Sequence, residues 1–144
     1  MKVLFLDIDG VLNNFNMRNF GEVFSQPSCE ALNSIINREP DLKIVISSAW
    51  RTWGTDYMRK ILDKNGVKDA LSRIIDVTGQ ENGIRGYQIQ CWLDRNPGVT
   101  NMVILDDESD MGPLTDKQVK TNRFVGLTSS DADKAVEILK TSIN

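Results

Sequence analysis

The sequence contains no histidine. That absence excludes serine–histidine and cysteine–histidine nucleophile pairs, and every metal site built on imidazole. Cysteine is nearly as scarce. Cys29 and Cys91 stand far apart with no CxxC pair, so neither a zinc cluster nor a disulfide framework is available. Both read as ordinary reduced, half-buried thiols. Long apolar runs are also missing. Val3-Leu4-Phe5-Leu6 is too short for a signal segment or a membrane span, and it runs straight into Asp7 and Asp9. The expectation is a cytoplasmic protein with no membrane partner. Positive charge is not in excess either: 17 Lys and Arg against 20 Asp and Glu leave a net charge of −3. A basic, non-specific nucleic-acid surface is therefore disfavoured. Catalysis has only carboxylates, hydroxyls, Lys and Arg to work with, with or without an oxygen-binding metal.

What is present suffices for one domain over residues 1–144, since 144 residues at 40% hydrophobic content can bury a real core. Val3 to Leu6 and Lys43 to Ile46 are short, continuous apolar runs bounded by polar turns, as buried parallel strands should be. Met102 to Leu105 and Arg123 to Leu127 read the same way, and Arg73 to Val77 is a weaker fifth strand. Helical periodicity lies between them, over Pro27 to Arg38, Tyr57 to Lys64 and Tyr87 to Leu93. A final helix is expected with Ser130 as its N-cap. Strands alternating with helices imply a Rossmann-like α/β domain. Its expected form is a three-layer sandwich around a mainly parallel five-stranded sheet.

Ligands of such sheets bind beyond the carboxyl ends of the strands. Three expected strands end in chemically suggestive residues: Asp7-Ile8-Asp9-Gly10, Ser47-Ser48, and Asp106-Asp107. Alternation lets Asp7 and Asp9 share a side, while Gly10 permits a tight turn and close approach of backbone to ligand. Four carboxylates in one cleft repel one another unless protons or a cation compensate, and magnesium suits such an all-oxygen site. An EF-hand reading of Asp7 to Asn14 fails because Gly10 comes too early.

These motifs resemble those of the haloacid dehalogenase (HAD) superfamily of phosphatases. Its first motif is matched by Asp7, Asp9, Val11 and Leu12, its second by Ser47 (Ser48 being the alternative), and its fourth by Asp106 and Asp107. The third motif departs: the family's usual Lys is replaced by Arg85 as the best-placed cation, with Lys60 and Lys64 as alternatives. A finer resemblance connects Ser47 to Arg51, Arg85 to Leu93, Leu105 to Asp107 and Gly126 to Thr128 with the domains grouped with Swiss-army-knife RNA repair proteins.

The resemblance implies a magnesium-dependent phosphomonoester hydrolase. Asp7 would be the nucleophile that forms an aspartyl-phosphate, and Asp9 the general acid and base. Asp7, Asp9, Asp106 and Asp107 would hold Mg2+, while Ser47 and Arg85 would bind the phosphoryl group. Gly10, Ser48 and Arg51 are expected to contact substrate, Arg51 being balanced between a phosphate contact and a surface ion pair. Trp50 reads as a core side chain.

The short flap of residues 13–26 and the stretch from Arg51 to Arg85 leave no room for a large cap domain. An open site favours a phosphorylated macromolecule, such as a nucleic-acid end, as partner. The alternative is a catalytically weak HAD-fold binding or assembly domain, for which the Arg in place of Lys is the supporting feature. A phosphoacceptor receiver module is disfavoured by the DxD order at the first strand.

Overall fold

The computed structural model describes residues 1–17 and 21–143, so residues 18–20 of the expected flap lie outside the described residues. The chain runs through β1 (Lys2–Leu6), α1 (Gln26–Arg38), β2 (Lys43–Ile46), α2 (Thr55–Lys64) and a short α3 (Ala70–Arg73). It continues through β3 (Ile74–Val77), α4 (Arg85–Arg95), β4 (Asn101–Asp106), β5 (Gln118–Lys120) and α5 (Ser129–Leu139). All four strand pairings are parallel, in the order β3-β2-β1-β4-β5. The switch of direction falls at β1, with β2 on one side and β4 on the other. That arrangement opens a crevice at the carboxyl ends of these three strands.

Alternation along the strands builds two cores. Leu4, Leu6, Ile44, Ile46, Val103 and Leu105 face one side, where α1, α2 and α5 cover them through Leu32, Ile36, Met58, Leu62, Ala135 and Leu139. Val3, Phe5, Val45, Met102 and Ile104 face the other side, where α4 adds Ile89, Trp92 and Leu93. Trp92 stands edge-on to Phe5 at 5.5 Å and anchors its indole N–H on Asp76 Oδ2 at 2.7 Å. The result is the expected α/β three-layer sandwich with no cap domain among the described residues, and none of their helices is long and apolar enough to cross a membrane.

Two expectations about elements need correction. The fifth strand is Gln118–Lys120, and the run Arg123 to Leu127 is a tight turn. Asn122 directs it: its carbonyl accepts the N–H groups of Val125 and Gly126, and its side-chain oxygen accepts that of Phe124 at 2.9 Å. Gly126 closes the turn at φ +80°. Only Leu127 of that run enters the core, while Phe124 and Val125 stay exposed. The last helix is capped by Thr128 rather than Ser130. Thr128 and Asp131 form a reciprocal capping box, each side chain bonded to the other's backbone N–H at 3.1 Å.

Cys29 is fully buried rather than half-buried, and burial pushes its thiol up to about 11, with Glu30 adding to the shift. A thiol so protonated near neutral pH is not a nucleophile.

Candidate active site

The crevice is built from three strand ends. After β1 the ladder extends by one bond, Asp7 N–H to the Leu105 carbonyl at 3.0 Å, and the chain then coils around the Ile8 carbonyl. Ile8 is buried in the core, which turns Asp7 and Asp9 toward the crevice. Gly10 sits at φ +84°, and a Cβ there would lie 2.6 Å from Asp107 Oδ2. Glycine is required at that position both for its conformation and for its close approach to the acidic cluster. Its carbonyl accepts the Thr121 hydroxyl at 2.7 Å, tying the first loop to the segment after β5.

Asp7, Asp106 and Asp107 are buried, and each presents an oxygen within 4.8 Å of the other two. Arg85, the first residue of α4, lies against the cluster. Its Nη1 is 2.5 Å from Asp106 Oδ2 and 3.5 Å from Asp7 Oδ1. α4 is brought in by Asp110, whose carboxylate accepts the Arg85 N–H at 3.0 Å and whose carbonyl accepts that of Gly86 at 3.1 Å. Gly86 allows the approach, since a Cβ there would meet the Met111 carbonyl at 2.5 Å. Lys60 and Lys64 stay exposed on α2, so Arg85 is the cation set beside the carboxylates.

The electrostatics follow from burial. Loss of solvent, then the neighbouring Asp106 charge, drive the Asp7 carboxyl well above the usual carboxylate range, with Arg85 and the Ile8 amide only partly offsetting them. Asp106 is also raised by burial, against the opposing pull of Arg85. Burial works against the charge of Arg85, yet the two carboxylates outweigh it and its pKa is raised. Arg85 therefore leaves Asp7 and Asp106 undercompensated.

A hard divalent cation fits this donor set, which offers only carboxylate oxygens in a buried, crowded cluster. Asp9 lies outside the three-carboxylate cluster and is occupied differently. Its Oδ1 accepts Asn13 Nδ2 at 2.7 Å and the Trp50 indole N–H at 3.1 Å. Asn13 is oriented for this because its own Oδ1 accepts the Gly10 N–H at 3.0 Å.

The end of β2 separates the two serines. The Ser47 hydroxyl is fully buried and has no hydrogen-bond partner among the described residues. Such a group costs free energy unless something arrives to bond it. Ser48 instead caps the 3-10 turn of Ala49–Trp53, accepting the Trp50 N–H at 3.1 Å. Arg51 donates to the Ser48 carbonyl at 3.0 Å, and its Nε is buried without a partner among the described residues. Burial, then repulsion from Arg85, lower its pKa. Among the described residues it makes no ion pair and lies in the field of Arg85.

Sequence reasoning missed the roles of four residues. Trp50 does pack on the core, edge-on to Phe24 at 5.7 Å, but its N–H serves Asp9. Asn13 and Asp110 orient Asp9 and Arg85, and Arg123 places Nε 3.3 Å from Asp107 Oδ2. The contacts of Trp50, Asp110 and Arg123 join segments distant in the chain, so no local pattern announces them. Asn13, by contrast, lies only four residues from Asp9 in the same loop. The closest signal was the position of Trp50 just after the second motif.

A family model for the HAD domain in Swiss Army Knife RNA repair proteins matches residues 3–132. The chain belongs to this family. The match takes in all five strands, apart from Lys2 at the start of β1, and all of the site residues described above, from Asp7 to Arg123. No curated protein and no solved structure matched the chain. Membership in the HAD family supports a phosphatase-like function, and the buried carboxylate triad of Asp7, Asp106 and Asp107 is compatible with it.

Proposed function

We propose that the chain is a magnesium-dependent phosphomonoester hydrolase that works through an aspartyl-phosphate on Asp7. The observation that carries this reading is one crevice holding three buried carboxylates, a paired arginine and a buried hydroxyl without a partner. Asp7, Asp106 and Asp107 would hold magnesium, which when bound neutralises the carboxylates and polarises the phosphoryl oxygens.

The chain's own groups supply the rest. Ile8 N–H and Arg85 both contact Asp7 Oδ1, leaving Oδ2 to form the bond to phosphorus. As that bond forms, the ester P–O bond breaks and the leaving oxygen takes a proton from Asp9. Two donors occupy Asp9 Oδ1, so the transferable proton belongs on Oδ2. In the second half, Asp9 takes a proton from water, the water oxygen bonds phosphorus, and the Asp7–phosphorus bond breaks. Phosphate leaves and Asp9 is again protonated. The Ser47 hydroxyl gains its missing partner by donating to a phosphoryl oxygen, while Arg85 and Arg51 oppose the charge that builds there.

A nucleic-acid end is the substrate we favour, because the family is described from RNA repair proteins and no cap among the described residues encloses the site. The test is phosphate release with magnesium or EDTA from RNA and DNA ends, nucleotides, sugar phosphates and phosphopeptides. Asp7→Asn serves as the control. Magnesium-dependent release that favours nucleic-acid ends and is lost in Asp7→Asn is expected. No release from any substrate, with the fold intact and magnesium bound, would make this a binding domain instead.

A further inference from the structure

The turn of residues 122–126 is ordered by Asn122 and Gly126, yet it spends its apolar side chains on solvent. Phe124 is 55% exposed and Val125 52%, and Phe15 beside them is 42% exposed. A core has no use for rings placed this way, and a contiguous apolar patch on an ordered surface marks a contact site.

Three further observations connect the patch to the chemistry. Phe15 and Phe124 are locked edge to face, with centroids 5.9 Å apart and planes at 74°. Their backbones are tied together: Phe15 N–H donates to the Arg123 carbonyl at 2.8 Å, and Asn16 Nδ2 to that of Phe124 at 2.8 Å. Arg123 then joins patch to site, its guanidinium carbon 5.5 Å from the Phe15 ring centre and its Nε 3.3 Å from Asp107 Oδ2. The aromatic surface thus lies one guanidinium away from a carboxylate of the triad.

We propose that Phe15, Arg123 and Phe124 form a platform that stacks the terminal base of a single-stranded nucleic acid while its end phosphate sits over Asp7. This rests on the phosphohydrolase reading and assigns a surface to its substrate. Aromatic rings backed by arginine accept any base face and do not require a particular sequence. The spacing separates this occupant from a phosphotyrosine peptide. In a nucleotide the sugar stands between phosphate and base, as the guanidinium stands here between carboxylate and ring. In phosphotyrosine the ring is bonded to the ester oxygen itself and would sit inside the crevice, short of the platform.

The test compares the wild type with Phe124→Ala and Phe124→Trp. Phe124 is exposed and touches no carboxylate of the site, and equal melting temperatures would establish that folding is intact. The readouts are kcat and KM on an end-phosphorylated single-stranded pentanucleotide, a phosphotyrosine peptide and glycerol phosphate, alongside fluorescence anisotropy of a labelled pentanucleotide. Phe124→Ala should lower the oligonucleotide-to-glycerol-phosphate ratio of kcat/KM by roughly tenfold or more, through KM, as expected for a lost stacked base. Oligonucleotide affinity should fall by a similar factor, and Phe124→Trp should restore both. An equal fall on every substrate, a fall confined to the phosphopeptide, or unchanged anisotropy would overturn the platform. Absence of turnover by the wild type on all three would instead sink the hydrolase reading, and the anisotropy series would still decide whether the rings bind a nucleic acid.

Discussion

Asp7 and Asp106 share a buried cluster in which burial disfavours ionisation, the Asp106 charge adds to the rise at Asp7, and Arg85 relieves only part of that cost. The folded-state pKa of Asp7 is raised, so its contribution to stability is fully present below the unfolded value near 4 and is lost as pH rises through the folded pKa. Asp7→Asn removes the charge while preserving shape. In EDTA the variant should melt close to the wild type near pH 4 and increasingly above it toward pH 8, each kcal/mol appearing as about 2–8 °C. Magnesium should close the gap. A gap that shrinks with rising pH would contradict the electrostatic account. Trp50 offers a second residue-scale test. Trp50→Phe keeps the packing on Phe24 but deletes one of the two donors that orient Asp9, a hydrogen bond of about 0.5–1.5 kcal/mol. Turnover number should fall, by up to about tenfold, with KM little changed, and an unaltered kcat would deny Trp50 its positioning role. The carboxylates and Ser47 were legible in the sequence because each follows an apolar strand. Trp50 and Arg123 were not, because their partners lie in distant loops.

At the scale of elements, the site depends on close backbone approaches. Gly10→Ala would place a Cβ against Asp107 Oδ2 at positive φ, costing about 1–3 kcal/mol in conformational strain and moving a triad carboxylate. Calorimetric titration should show magnesium affinity weakened about tenfold or more. Thr128→Ala is the matched control, removing a helix cap worth about 1 kcal/mol remote from the crevice. It should lower the melting temperature and leave phosphate release unchanged. If Gly10→Ala bound magnesium normally while melting lower, the glycine would serve only the fold. Elements with strong apolar periodicity, such as α1 and β4, were legible from the chain alone. β5 was not, since a three-residue edge strand with Val119 as its buried apolar residue gives almost no pattern. The neighbouring Arg-Phe-Val-Gly-Leu run imitates a strand but is bent by Asn122 and Gly126. Its exposed Phe124 packs on Phe15 and belongs to the proposed stacking platform.

For the molecule as a whole, five parallel strands with β1 at the switch point bring residues from positions 7, 47, 85 and 106 into one crevice. Topology thus assembles a site that is scattered along the sequence. The motifs named its members in advance, whereas their burial, and hence the raised pKa values of Asp7 and Asp106, required the fold. The central claim is that Asp7 becomes covalently phosphorylated, and rapid acid quenching during turnover of a radiolabelled phosphomonoester with magnesium tests it most directly. The account predicts an acid-stable, hydroxylamine-labile label on the peptide containing Asp7, absent in EDTA and in Asp7→Asn. Phosphate release without any protein-bound label, or release that survives in Asp7→Asn, would contradict it.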